Sequence, residues 1–372
     1  MLDGANVEIV RVEAIRKANA QAKSLNGLVA VFVGGTGGIG ESTAKEMFLR
    51  TTNPRGIIVG RSEDKAAKII EKLKELNPDG EAYFLQKDVS LLRNVDEYCA
   101  QLKTREPKIN CLVLTTGYMA LQGRNETVEG IDRKMCVNYY SRVRCIMNLL
   151  PALQRASDEG ELSRVITVLA AGSEGDVRLD DLDLKHNFTL HACLAHCVVM
   201  TDFAMEDFAK KYPGTMFCHS YPGTVKTSIT NELTGSVRLA VKVLYAVMTP
   251  WILNMKESGE RHFFQMTNKC YPAARGSVSI EPPEDISVMK GSNGDIGSGA
   301  YLLDWDGKPT GDESVLRKYR ESGMLQKVWD HTIAIFQQAE RLNNRKDGKR
   351  PASQDAEGAG RPIPNPIGWR PG

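Results

Sequence analysis

An α/β fold with one doubly wound parallel sheet is predicted by three features of the sequence. Residues 28–33 form an apolar, β-branched run suited to a buried parallel strand, and residues 41–50 are helix formers. Between them stands Gly34-Gly35-Thr36-Gly37-Gly38-Ile39-Gly40, a glycine run at a strand-to-helix turn. Two more apolar runs, residues 56–59 and 82–85, are set off by amphipathic helical stretches, which completes a βαβαβ half of the Rossmann type.

Taken in chain order, residues 1–26 read as a helical arm, with Val7, Val10, Val12, Ile15 and Ala18 interleaved with charges before Asn26-Gly27. The second strand ends at Gly60-Arg61-Ser62, the third at Lys87-Asp88-Val89, and the fourth, residues 111–114, at Thr115-Thr116-Gly117. A fifth strand spans 164–169, an Asp- and Gly-rich connection follows at 174–187, and a helix opens at Phe188. Residues 262–266 are the expected last strand. A loop over 271–299 then leads to Tyr301-Leu302-Leu303 and an amphipathic helix over 314–342, a C-terminal extension. Because the βα pattern runs on into the 330s, residues 27–342 are predicted to form one domain, although the length alone permits two. From residue 343 onward Lys, Arg, Gly, Pro and Asp dominate, which predicts a disordered tail to residue 372.

Glycines at such a turn let the backbone tighten and bring its N–H groups close to a pyrophosphate, while the next helix offers unpaired donors and a partial positive charge. The residue ending the second strand meets the adenosine ribose, where an acid suits a free 2′-hydroxyl and an arginine suits a 2′-phosphate. Arg61 therefore points to NADP(H) rather than NAD(H).

The spacing Gly34-x-x-x-Gly38-x-Gly40, followed by Gly60-Arg61, Asp88-Val89, Thr115-Thr116-Gly117, Asn138 and Pro222-Gly223-Thr224-Val225-Lys226-Thr227, resembles the short-chain dehydrogenase/reductase superfamily. The texture of Val31-Phe32-Val33-Gly34-Gly35-Thr36, Tyr139-Tyr140-Ser141-Arg142 and Glu257-Ser258-Gly259-Glu260-Arg261 is similar to a fungal group associated with secondary-metabolite pathways. The resemblance implies a pyrophosphate turn at Gly34, Gly38 and Gly40, with Thr36 and Ile39 inside it. It implies that Asp88, beside Val89, bonds the adenine, and that Gly117 lets the cofactor cross the fourth strand. Pro222, Val225 and Thr227 would hold the nicotinamide carboxamide, and Asn138 falls on the active-site asparagine, which usually supports an ordered water chain.

The same resemblance breaks at the catalytic groups. The family's serine falls near Ala170, with Ser173 the nearest hydroxyl, its tyrosine aligns with Phe188 and its lysine with Ala192. A lone phenol titrates near ~10 and an adjacent ammonium lowers that value, but Phe188 has no proton to give. Tyr118, next to Gly117, and His191, one residue before Ala192, are the candidate substitutes, each with a plain packing role as its alternative. Tyr139 and Tyr140 are expected to pack against the sheet. Three functions stay open: an NADP(H)-dependent oxidoreductase with a non-standard proton donor, a non-redox isomerase, dehydratase or cyclase, and a non-catalytic cofactor-binding protein.

Composition bounds the rest. Lys+Arg 48 against Asp+Glu 46 gives a net charge of +2 and no electrostatic case for nucleic acid. Eight cysteines without framework spacing, and no signal peptide at Met1-Leu2-Asp3-Gly4, lead us to expect a cytoplasmic location. Cys193, His196 and Cys197 share a helix face, but no fourth ligand accompanies them, so no metal is expected. Residues 228–260 are expected to form a substrate lid. Its apolar stretch, 236–255, is interrupted by Arg238, Lys242 and Pro250, which argues against a membrane span and for a lipophilic small-molecule substrate. The resemblance implies pairing through the fourth and fifth helices into dimers or tetramers, a homodimer among them, although the departures fall in and beside that interface.

Overall fold

The computed structural model describes residues 10–118, 120–225, 253–276, 279–284 and 286–346. The apolar runs become β1 (Val29–Val33), β2 (Arg55–Gly60), β3 (Glu81–Gln86), β4 (Cys111–Leu114), β5 (Arg164–Val168), β6 (Met216–Ser220) and β7 (Ala300–Leu303). They pair in parallel in the order β3-β2-β1-β4-β5-β6-β7. The order reverses at β1, which lies between β2 and β4, and the carboxyl ends of these strands are where such sheets bind ligands.

Helices α1 (Val12–Ala20), α2 (Gly38–Arg50), α3 (Glu63–Leu76), α4 (Leu92–Arg105), α5 (Ser141–Asp158), α6 (Leu190–Lys211), α7 (Met255–Thr267), α8 (Glu313–Glu321) and α9 (Met324–Lys346) cover the sheet. Several start where a side chain satisfies an orphan N–H: Ser62 accepts from Lys65, Thr189 from Ala192 and Asn254 from Lys256. Two apolar clusters follow from strand alternation. Val31, Val33, Leu112 and Val165 face the layer of α4, α5, α6 and α9, while Ala30, Phe32, Cys111 and Ile166 face α1, α2, α3 and α7.

Two expectations change, the strand over 262–266 and the unbroken helix over 314–342. Residues 262–266 are not a strand but the C-terminal half of α7, where Phe263, Phe264 and Met266 are buried beside buried polar neighbours. A short apolar run reads the same for a strand and for a helix buried on most sides, and the last strand is Ala300–Leu303 instead. Of the expected lid, residues 228–252 lie outside the described residues, and Met255 to Glu260 belong to α7, packed between α1 and α2. The helix expected over 314–342 is broken at Gly323 (φ 66°) into α8 and α9, and α9 runs on to Lys346. Tyr139 and Tyr140 send their hydroxyls to α9, to Thr332 (2.9 Å) and His331 Nε2 (2.7 Å).

The helices at both ends of the described residues are docked. The arm reaches α7 through Arg16 to Glu260 (2.9 Å) and Asn19 to the Glu260 carbonyl (2.9 Å). Helix α9 lies across α5 and α6, with Arg144 bound to Glu340 (2.8 Å) and Trp329 edge-on to Phe208 at 5.3 Å. Helix α9, the last helix of the described residues, thus packs on α4, α5 and α6.

Candidate active site

The turn after β1 has the backbone that its glycines dictate. Gly34 (φ 93°) and Gly38 (φ 61°) occupy left-handed conformations that a side chain would strain. A Cβ on Gly34 or Gly40 would stand 2.7 or 2.6 Å from Thr115 Oγ1, so the turn is pressed onto the end of β4. Thr36 in turn fills the space above Gly60, tying the turn to β2. At Gly37 a Cβ would meet nothing within 4 Å, and α2 begins there, at Gly38, with no side-chain cap. An open turn facing uncapped N–H groups fits a pyrophosphate. Ile39 is buried beneath it.

The remaining residues of the expected cofactor site lie along the carboxyl ends of the strands. Arg61 is exposed directly after β2. Asp88 accepts from the Ser90 N–H (2.9 Å), and its carbonyl accepts from Asn94 (2.8 Å), which fixes the turn that buries Val89. Gly117 is exposed after β4. Pro222 and Gly223 follow β6, Gly223 (φ 75°) closing against Trp305, and Val225 is buried beside Leu253. Thr227 lies outside the described residues.

Around β4 to β6 the chemistry departs from the expected set. Asn138 sits in a single π-helical turn (Cys136–Tyr140), and its amide clamps the Tyr118 backbone, accepting from the N–H (3.4 Å) and donating to the C=O (3.5 Å). Tyr118 is half-buried and His191 is exposed. Ala170, Phe188 and Ala192 are half-buried, and the Lys134 ammonium stands 5.1 Å from the Phe188 ring centroid while donating to the Gly123 carbonyl (2.8 Å). A Tyr-x-x-x-Lys spacing occurs elsewhere, at Tyr83 and Lys87. It lies on the edge strand β3, where Tyr83 is bonded to Glu106 (3.2 Å) and Lys87 to Glu97 (2.6 Å).

Three buried polar residues missed by the sequence reading stand under these strand ends. Arg142, four residues after Asn138, donates to the Leu114 carbonyl (3.3 Å), the Thr116 carbonyl and Thr167 Oγ1 (2.5 Å). No carboxylate pairs with it among the described residues, and burial pulls its pKa down to about 10, so it stays charged near neutrality. His219 on β6 accepts from the Ala170 N–H at Nε2 (3.1 Å) and donates from Nδ1 to Asp202 Oδ1 (2.6 Å). Burial, then the Arg142 charge, lowers His219 to about 3. Burial, then Glu174, raises Asp202 above the usual carboxylate range, so burial disfavours an ion pair here. The signal available in the sequence was the i, i+4 spacing of Asn138 and Arg142, which puts both on one helix face.

His196 does not act with Cys193 and Cys197 as a ligand set. Its ring bonds the Leu182 carbonyl (3.1 Å) and the Arg178 N–H (3.0 Å), pinning the 174–187 connection to α6. Among the described residues no cluster of His, Cys, Asp or Glu is of metal-binding size, and no helix is long and apolar enough to cross a membrane.

The short chain dehydrogenase profile matches residues 28–175. An oxidoreductase of Emericella nidulans is 42% identical over 334 residues, spanning 89% of this chain and 99% of that protein. The chain belongs to the short-chain dehydrogenase/reductase family. The short-chain dehydrogenase/reductase SAT2 of Stachybotrys chartarum is 26% identical over 352 residues, 89% of this chain and 98% of that one. Among solved structures, the Pseudomonas aeruginosa RhlG/NADP active-site complex has the same fold (TM-score 0.52, 19% identity, 70% of this chain and 96% of that one).

Proposed function

We propose that this enzyme is an NADP(H)-dependent oxidoreductase that reduces a carbonyl, or oxidises the corresponding alcohol, of a lipophilic intermediate of secondary-metabolite type. The observation that carries the reading is the open glycine turn at the uncapped start of α2, with Arg61 following β2. In this reading Gly34, Thr36, Gly38, Ile39 and Gly40 hold the pyrophosphate, Arg61 the 2′-phosphate, and Asp88 and Val89 the adenine. Gly117 leaves room over β4, while Pro222, Val225 and Thr227 hold the carboxamide. The reduced cofactor supplies a hydride. Asn138 keeps the Tyr118 turn in shape at the end of β4, and Arg142 supplies a fixed positive charge beneath the strand ends.

Exposed apolar side chains support the lipophilic substrate: Leu121 after β4 (54% exposed) and Leu190 and Leu194 on the first turns of α6 (40% and 44%). The proposed compartment is the cytoplasm. The replacement of the family's serine, tyrosine and lysine by Ala170, Phe188 and Ala192 favours a second reading, a non-redox isomerase, dehydratase or cyclase that retains the cofactor. Calorimetric titration with NADPH and NADH tests the cofactor assignment. A charged 2′-phosphate pair is worth about 1.5–3 kcal/mol, so NADPH should bind at least about tenfold more tightly, and equal affinities would refute the assignment.

A further inference from the structure

If the proposed hydride transfer is right, the carbonyl oxygen needs a proton, and Phe188 cannot give one. Phenols elsewhere are committed: Tyr83, Tyr139, Tyr140, Tyr271 and Tyr301 each bond a partner through the hydroxyl. Tyr98 is buried inside the helical layer, Tyr319 accepts from the Val177 N–H, and Tyr212 lies at the far end of α6 from Phe188. Among the described residues this leaves Tyr118 and Tyr221 at the carboxyl ends of the strands.

Strand alternation separates these two. On β6, Phe217 stacks on Phe208 of α6 (5.5 Å) and His219 bonds Asp202 of α6, so this face of the strand looks toward α6. Tyr221 is the next residue on that face, held in extension by its N–H bond to the Leu303 carbonyl (2.8 Å). It is half-buried and packs against the apolar cluster that lies between the sheet and α4, α5, α6 and α9. Leu169, Phe188 and Ala192 also pack against this cluster, and Tyr118 does not. Pro222 and Gly223, which come next, belong to the proposed carboxamide site.

We infer that the Tyr221 hydroxyl is the proton donor of this enzyme, standing on the wall that Phe188 leaves without one. In the reducing direction the carbonyl carbon accepts a hydride from NADPH, the carbonyl oxygen takes the Tyr221 proton, and water reprotonates the phenolate. The inference rests on the proposed oxidoreductase function.

The test uses the full chain, NADPH deuterated stereospecifically at C4, and decanal and 2-decanone as lipophilic carbonyl probes. Tyr221→Phe removes a hydroxyl that makes no hydrogen bond among the described residues, so circular dichroism and NADPH affinity should hold. Its kcat should fall by about 10²–10³, in the range of a lost general acid, with KM nearly unchanged. In addition, 3-fluorotyrosine placed at position 221 should show a ¹⁹F shift when NADP⁺ and decanol are added. A Tyr221→Phe enzyme with undiminished kcat, or a Tyr118→Phe enzyme that alone loses turnover, would overturn the role of Tyr221. A wild-type enzyme that oxidises no NADPH and passes no deuterium to either probe would overturn the oxidoreductase reading, and this role with it.

Discussion

The half of the sheet built on β1, β2 and β3 and the half built on β4, β5 and β6 have followed different rules. In the first, the glycine turn is fixed by contacts that admit no side chain at Gly34 or Gly40, and Thr36 locks it to Gly60. In the second, Ala170, Phe188 and Ala192 stand where a serine, a tyrosine and a lysine were expected, and Arg142, His219 and Asp202 are buried polar groups beneath the strand ends. The difference teaches that holding a dinucleotide and moving a proton are separable demands. The first is met by backbone shape, which tolerates few substitutions. The second needs only an acid within reach of one oxygen, which several positions on the wall can supply.

The comparison can be broken most severely from the cofactor side. Gly38→Val should weaken NADPH binding by more than about 100-fold, because the side chain enters the space of the pyrophosphate and strains a left-handed backbone. Circular dichroism should stay close to wild type, and unchanged binding by calorimetry would mean that the glycine run is only a turn.

On the catalytic side, His219→Leu should cost about 2–3 kcal/mol in denaturant unfolding, since the Ala170 N–H and the Asp202 carboxyl are left buried without partners. The same residue sets a pH dependence. Burial holds His219 far below its unfolded value of about 6.5, so the unfolded chain binds the proton first. This contribution is complete above pH ~6.5 and is lost as the pH falls below it toward about 3. Melting temperatures from pH 8 to 4 should drop less steeply in His219→Leu than in wild type, and parallel curves would contradict the assignment.

A smaller effect is expected at Arg61→Ala, which should lower NADPH affinity at least about tenfold while sparing NADH. Survival of the NADPH preference would mean that another residue reads the 2′-phosphate. The smallest concerns assembly. With α9 over α5 and α6, we expect light scattering to give a monomer, or a dimer built through another surface. A dimer that persists when Arg144→Ala loosens α9, and whose interface maps to α5 and α6 by hydrogen exchange, would contradict that geometry.

Legibility in the sequence followed the range of the interactions. Strands β1, β2, β4 and β5 could be read because each buries a short apolar run, β3 because its apolar run over 82–85 stands out though half-buried, and the glycine turn because its residues are adjacent in the chain. Helix α7 could not, since Phe263, Phe264 and Met266 are buried together with Ser258, Glu260 and His262, which leaves no polar face for a helical period to reveal. His219 and Asp202 are 17 residues apart, and Ala170 and His219 are 49 apart, so nothing local marks them as one unit. Tyr221 has Val225, not a lysine, four residues on, and only its place after β6 on the side facing α6 marks it.

The central claim is that this chain still transfers hydride although the expected donor set is gone. The most direct measurement is transfer of label from NADPH deuterated at C4, followed together with NADPH oxidation on the pathway intermediate that accumulates when the protein is removed from its host. One deuterium in the product for each NADPH oxidised is the predicted result. Product formed with no deuterium and no NADPH consumed would contradict it and leave the non-redox reading in its place.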